Sequence, residues 1–187
     1  MRWLAVILFV TLAACTTKLD KAGRTESTVD PKYLLKSEVD RIADTNRAEV
    51  VNGLLLIADK LYKRNPKEWK KSGAVSREAA VERLRQRTYR NWPEFTGLRE
   101  GAVASLAFTE AYAGDRVMAL MYGLLSMVDA AFEHKEEFYI LDSLNELKLY
   151  NSARNMDVAI WKLGHDRTAA GELFLLSNEL DPANRNL

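Results

Sequence analysis

The chain has 187 residues, of which 28% are charged and 48% apolar, and its formal net charge at pH 7 is +1. This composition is typical of a folded domain, since four prolines and nine glycines are too few for a disordered or fibrous chain. A net charge so close to zero points to no class of partner.

The first residues have the pattern of an export signal. Arg2 precedes the apolar run 3–12, which is followed by two alanines and Cys15. A basic start, a short apolar run and small residues before a cleavage site are features of a secretory signal. The apolar run is about half of the roughly 20 residues that a membrane-spanning helix needs, so the pattern favours a signal over a transmembrane anchor.

The last four residues of this segment, Leu-Ala-Ala-Cys at 12–15, resemble the lipobox of bacterial lipoproteins. The resemblance implies that the signal peptide 1–14 is removed and that Cys15 carries a diacylglycerol group and an acyl chain such as palmitate. Cys15 is the chain's only cysteine, and the alternative is a buried thiol without a partner. A multiply acylated cysteine would hold the protein firmly at a membrane.

The residue after the cysteine sorts lipoproteins in many Gram-negative envelopes. In that family an aspartate there retains the protein at the inner membrane, whereas this chain has Thr16. The resemblance therefore implies the outer membrane, facing the periplasm. Residues 15–30 are polar and lack an apolar period, which predicts a flexible tether ahead of a single domain at 31–187.

The first half of that domain has two predicted helices with clear ends. Ser37 and Asp40 resemble a capping box at the start of a helix that ends before Asn65-Pro66. Ser76 is the expected N-cap of the next helix, which runs to about Arg90. We expect one face of the first helix to be buried through its apolar residues. These are Val39, Ile42, Ala43, Val50, Val51, Leu54, Leu55, Ala58, Leu61 and Tyr62.

The second half predicts further helices separated by short turns. Helices are expected over about 95–113 and 116–134, with Gly114-Asp115 as the turn and N-cap between them. Small residues in the first of these two suit a close helix seam, and the second is apolar nearly all round, which predicts a central core helix. Further helical stretches are expected at 138–141, 143–164 and 166–180. The fold is therefore predicted to be all-α, with six to seven antiparallel helices.

Part of this pattern resembles the tetratricopeptide repeat. Ala170, Phe174, Ser177 and Pro182 have the spacing of the small, aromatic, small and proline positions in the second helix of that repeat. Residues 161–164, Trp-Lys-Leu-Gly, resemble the end of its first helix. The resemblance implies stacked helix pairs, but no fixed 34-residue period runs through the chain. A generic helical bundle is the alternative.

Residues suited to catalysis or metal binding are few. His134 and Glu137 have the spacing of a helical metal pair, but no second histidine accompanies them, and a solvated helix end explains them more simply. Asp129 lies within an apolar stretch, so we expect it to be buried beside a basic residue from another helix; a catalytic role is the alternative. We therefore expect no metal, no cofactor and no enzymatic activity.

Charge is unevenly distributed along the chain. Residues 60–90 contain eleven bases and three acids, whereas residues 91–187 contain fifteen acids and eight bases. The basic segment reads as a solvated helix face, as a contact for anionic lipid or an acidic protein, or as a nucleic-acid site, and the export signal argues against the last. Its candidate partner-binding residues are Lys67, Lys70, Lys71, Arg83, Arg87 and Arg90.

These features together predict a lipid-anchored protein of the periplasm that binds or scaffolds another envelope protein. The alternative is a carrier that holds a lipid or another small hydrophobic ligand in an apolar interhelical pocket. Met121, Trp161 and Phe174 are the candidate pocket residues.

Overall fold

The structure is a computed structural model that describes residues 16–19, 25–28, 35–87 and 92–177. The signal peptide 1–14, Cys15, Arg90 and Pro182 lie outside the described residues, as does the predicted domain boundary at residue 31. The side chain of Arg87 also lies outside them.

From residue 35 onward the described part of the chain contains six α-helices, and the prediction of an all-α fold is confirmed. A short 3-10 turn, Pro93–Phe95, separates the third helix from the fourth. The helices are α1 (Glu38–Arg64), α2 (Pro66–Lys71), α3 (Arg77–Arg87), α4 (Glu100–Leu106), α5 (Arg116–Ala131) and α6 (Glu146–His165).

The segment expected to be a flexible tether contains two short strands. They are β1 (Thr16–Leu19) and β2 (Thr25–Thr28), and they pair antiparallel with Thr16 opposite Thr28. Threonine, a β-branched residue that suits an extended backbone, supplies half of the residues in the two strands. The apolar pattern of the sequence did not indicate this hairpin because so few of its residues are apolar.

The described residues divide into two compact units, one within 1–44 and 137–143 and one within 45–136 and 144–187. In the smaller unit the predicted capping box is present: the Ser37 backbone N–H donates to Asp40 Oδ2 at 2.7 Å, and the Asp40 N–H donates to Ser37 Oγ at 3.2 Å. The helix predicted at 138–141 is wrong. Its backbone N–H groups bond elsewhere, since Phe138 donates to Asp44 Oδ1 at 2.8 Å and Ile140 donates to the Leu35 carbonyl at 2.9 Å.

Helix α5 is the buried centre of the larger unit. Thirteen of its sixteen residues are buried, as expected for a helix that is apolar nearly all round. Asp115 is its N-cap, as predicted, and accepts the Met118 N–H at 2.9 Å.

The close seam predicted for this region lies between α4 and α5. A Cβ atom at Gly123 would come within 2.5 Å of the Ala104 nitrogen and 2.6 Å of the Glu100 carbonyl, so only glycine fits there. Helix α4 is nevertheless much shorter than the predicted 95–113. The Arg116 guanidinium accounts for its end, since it donates to the Ala107 and Thr109 carbonyls, each at 2.9 Å.

Helix α1 ends at Arg64, just before Pro66, as predicted. Its apolar residues, however, do not share one buried face. Six of the ten are buried, namely Ala43, Leu54, Leu55, Ala58, Leu61 and Tyr62. Val39, Ile42 and Val50 are exposed, because they lie on a stripe beside the buried one.

The helix predicted at 166–180 is absent from its described part, 166–177. Thr168 donates to the Glu172 carbonyl at 2.7 Å, and Gly171 has φ +81°, so the chain turns back on itself. The Asn65 amide then holds the segment in place. It donates to the Leu176 carbonyl at 2.9 Å and accepts the Leu176 N–H at 2.8 Å. Ala170, Phe174 and Ser177 therefore do not lie on a helix.

Candidate functional site

Helix α6 packs against the other helices of the larger unit through one narrow face. It begins at Glu146, where Asn145 accepts the Lys148 N–H at 3.1 Å, so the predicted start at Ser143 is wrong. Only Ser152 and Ala159, seven residues apart, are buried on this helix. Its other side chains are partly or fully exposed among the described residues.

An apolar stripe lies on roughly the opposite side of α6. Leu147 and Tyr150 are each 66% exposed, Trp161 is 58% exposed and Val158 is 45% exposed. Their spacing of three, eight and three residues places them on one face of a helix. Apolar side chains aligned in this way on a surface are typical of a binding site for another protein.

A groove lies between α6 and the seam of α4 and α5, and it consists of two adjoining cavities that share Met127 and Asn155. The first, the polar cavity, is lined by six polar and three apolar residues and has a volume of about 310 Å³. It is lined by Glu100, Met127, Ala130, Ala131, His134, Lys148, Asn151, Ser152 and Asn155. The second is mainly apolar and has a volume of about 220 Å³. It is lined by Gly101, Ala104, Ser105, Phe108, Met127, Asn155, Val158, Ala159 and Lys162.

A histidine at the polar end of the groove is held by a buried carboxylate. His134 Nδ1 lies 2.6 Å from Asp129 Oδ2, and the other carboxylate oxygen lies 3.9 Å from Arg47 Nη2 of α1. A basic neighbour of Asp129 from another helix was predicted; His134 is the nearer partner. Burial raises the pKa of Asp129, whereas the hydrogen bond and charge of His134 and the charge of Arg47 act in the opposite direction.

The backbone that carries His134 is strained. Glu133 and His134 have φ values of +53° and +58°, and their N–H groups close the end of α5 by donating to the carbonyls of Ala130 at 3.1 Å and Asp129 at 2.8 Å. This arrangement is a Schellman motif, in which glycine usually occupies the position of Glu133.

Glu100, at the opposite wall, has φ +51°, so two of the three described non-glycine residues with positive φ, Glu100 and His134, line this cavity. Strained residues of this kind cluster at binding and active sites.

Most of the described candidate residues of the basic segment contact neighbouring residues. Lys71 pairs with Glu68 at 2.7 Å, and Lys70 lies 5.5 Å from the Trp69 ring. Arg83 donates to the Ser72 carbonyl at 2.7 Å and lies 5.5 Å from the Trp92 ring. Lys67 is exposed.

The three candidate pocket residues do not come together in any cavity described here. Met121 is fully buried in α5. Phe174 packs against Phe108 with ring centroids 6.4 Å apart, and Trp161 stacks on His165 at 4.7 Å. Of the three, only Trp161 lines a cavity, a third one on α6 that it shares with Arg154, Asp157 and Val158.

The described residues contain neither a candidate metal site nor a candidate membrane-spanning helix. No group of three histidine, cysteine, aspartate or glutamate side chains in this part of the chain could hold a metal ion. None of its helices is long and apolar enough to cross a membrane.

No protein-family model, curated protein or solved structure matches this chain. A proposal for its function therefore rests on its own residues. Sequence reasoning missed Glu100, Lys148, Asn151 and Asn155, since exposed polar residues on helices carry no signal of their own. The four-residue spacing of the two asparagines is the one hint that was available.

Proposed function

We propose that this protein is a lipoprotein of a Gram-negative envelope, anchored through Cys15 on the periplasmic side of the outer membrane. There it binds another envelope protein as a non-catalytic accessory subunit. The lipobox-like residues 12–15 support the anchor. The exposed apolar stripe of α6 supports the binding role, and it is the observation that carries the proposal.

The stripe is suited to protein binding because aromatic and aliphatic side chains dominate the energetics of protein interfaces. Trp161 and Tyr150 are of the residue types most often found at interface hot spots. Fully burying an aliphatic side chain such as Leu147 contributes about 1.5–3 kcal/mol. Arg154 and Asp157 lie beside the stripe and can supply polar contacts at its rim.

Photocrosslinking in cells tests this role. We expect a photoreactive phenylalanine analogue in place of Leu147 to form one dominant protein adduct, because this side chain would lie within the interface. The same analogue in place of Glu49, exposed on α1, serves as the control. Mass spectrometry identifies the adduct. Absence of an adduct at Leu147, or equal adducts at both positions, would contradict the proposal.

A carrier of a small hydrophobic ligand is a second candidate function, and the apolar cavity beside Phe108 supports it. This cavity does not include the pocket residues predicted from the sequence. Its volume of about 220 Å³ is below the roughly 300–1,000 Å³ of most small-molecule sites. A thermal-shift screen with fatty acids and phospholipids examines this alternative. A rise in melting temperature that Gly101→Leu abolishes would favour the carrier, because a leucine at position 101 would fill the cavity.

A further inference from the structure

We propose that the groove between α6 and the α4–α5 seam binds an extended segment of the partner protein, with a basic side chain in the polar cavity and an apolar side chain in the apolar cavity. This inference rests on the proposed binding function and adds the chemistry of the partner. It uses the face of α6 toward the α4–α5 seam, which adjoins the exposed stripe and shares Val158 with it.

The length and direction of the groove suit an extended chain. Its α6 wall runs from Lys148 to Lys162, which is about 21 Å at 1.5 Å per residue. An extended polypeptide covers that distance with about six residues at 3.3–3.4 Å each. The occupant is therefore a short segment lying along the helix.

Two asparagines on the α6 wall can form hydrogen bonds with the backbone of such a segment. Asn151 and Asn155 are exposed, and their side-chain amides make no hydrogen bond to the described residues. Each amide offers both donors and an acceptor, as a peptide group does. They are separated by about 6 Å along the helix, close to the roughly 6.7 Å between alternate residues of an extended chain. A hydrocarbon ligand would leave these amides unsatisfied, which argues for a peptide over a lipid.

The apolar cavity accepts one large side chain. A cavity of about 150 Å³ lined by apolar residues binds benzene, so about 220 Å³ beside Phe108, Met127 and Val158 is enough for leucine or phenylalanine.

The polar cavity is lined by one carboxylate and by one lysine that is paired with a glutamate. Glu100 contributes a carboxylate, and Lys148 is neutralised by Glu133 Oε2 at 2.7 Å. Residues 91–187 are also strongly acidic overall. A lysine or arginine side chain complements these groups.

The distance between the two cavities determines how far apart the two recognised side chains lie in the bound segment. Asn151 and Ala159, which mark the two cavities, are about 12 Å apart along α6. Side chains four positions apart on an extended segment point the same way and are separated by about 13 Å. The motif is therefore a basic and an apolar residue four positions apart.

Fluorescence anisotropy with defined peptides tests this inference on the full chain purified in detergent. The probes are labelled eight-residue peptides of serine and glycine that contain one lysine and one leucine four positions apart, in both orders. Matched peptides carry glutamate in place of lysine or serine in place of leucine. We expect a lysine–leucine peptide to bind at least about tenfold more tightly than either matched peptide.

Variants separate the groove from the rest of the surface. We expect the double variant Asn151→Ala, Asn155→Ala to lose about tenfold in affinity, because two hydrogen bonds are removed. Asn52→Ala, an exposed asparagine on α1, should leave the affinity unchanged. Glu100→Lys should reverse the preference, so that the glutamate peptide binds more tightly than the lysine peptide. Circular dichroism checks that each variant is folded.

The outcomes for the two proposals are distinguishable. Equal binding of all peptides, or an affinity that the asparagine and Glu100 variants leave unchanged, would overturn the groove site. A protein adduct at Leu147 in cells would then still support the accessory subunit. Peptide binding with the expected variant effects supports the groove whether or not that adduct forms.

Discussion

Asp115 shows how one buried carboxylate connects two helices. It is 3% exposed; Oδ1 caps α5, and Oδ2 accepts the Tyr62 hydroxyl of α1 at 2.9 Å. Burial raises the pKa of Asp115, and the hydrogen bonds from the Met118 N–H and Tyr62 lower it. Burial and the nearby Asp115 charge also raise the pKa of Tyr62, so the phenol keeps its proton and remains a donor.

We predict that Tyr62→Phe lowers the free energy of unfolding by about 1.5–3 kcal/mol, because a buried carboxylate loses a hydrogen-bond donor. Urea denaturation followed by circular dichroism measures the change. The control is Tyr150→Phe, since Tyr150 is 66% exposed and its substitution should stay within about 0.5 kcal/mol. Equal effects of the two substitutions would contradict the role assigned to Tyr62.

The seam of α4 and α5 determines the position of one wall of the groove. Gly123 allows the two backbones to touch, and the same segment of α4 supplies Glu100, Gly101 and Ala104 to the groove. Any shift of α4 therefore changes both the stability of the unit and the width of the groove.

We expect Gly123→Ala to lower the free energy of unfolding by about 1–3 kcal/mol, because its Cβ would collide with backbone atoms that cannot move independently. Gly53→Ala in α1 is the matched control. Its Cβ would meet nothing within 4 Å, so alanine should raise stability by about 0.5–1 kcal/mol through helix propensity. Thermal and urea denaturation measure the stability of both variants. If the two backbones touch at the seam, Gly123→Ala is less stable than the unsubstituted protein and Gly53→Ala is more stable. If both variants were more stable, the helices at Gly123 would be farther apart than the structure shows.

At the scale of the whole molecule, the anchor and the binding surfaces have separate roles. The proposed lipid at Cys15 locates the protein, whereas α6 and its groove would select the partner. Because the anchor lies at the start of the chain, its loss should change location without changing the helical fold.

We predict that Cys15→Ala abolishes lipidation and leaves the signal peptide uncleaved, because the resemblance makes lipidation a requirement for cleavage. Labelling with radioactive palmitate and electrophoretic mobility measure the two effects. Thr16→Asp should remain lipidated and move to the inner membrane, as sucrose-gradient fractionation would show. Normal cleavage of the Cys15→Ala precursor would identify an ordinary secretory signal instead.

Local features of the fold were predictable where a few neighbouring residues decide them. The capping box of Ser37 and Asp40, the N-cap at Asp115 and the end of α1 before Pro66 were all predicted and confirmed. The buried state of α5 followed from its composition. Of the groove, the close seam of α4 and α5 was predicted from the small residues in 95–113, and the spacing of Asn151 and Asn155 was a further hint.

The sequence by itself determined the all-α class and the caps at Ser37 and Asp115, because helix propensity, periodicity and capping act over three or four residues. Tertiary structure alone decided that 138–141 and 166–177 are not helical, because distant partners such as Asp44 and Asn65 bond their backbone or hold it in place. It likewise decided which apolar stripe of α1 is buried and that α6 leaves a groove open. Those outcomes depend on which surfaces meet, and residues far apart in the chain determine that together.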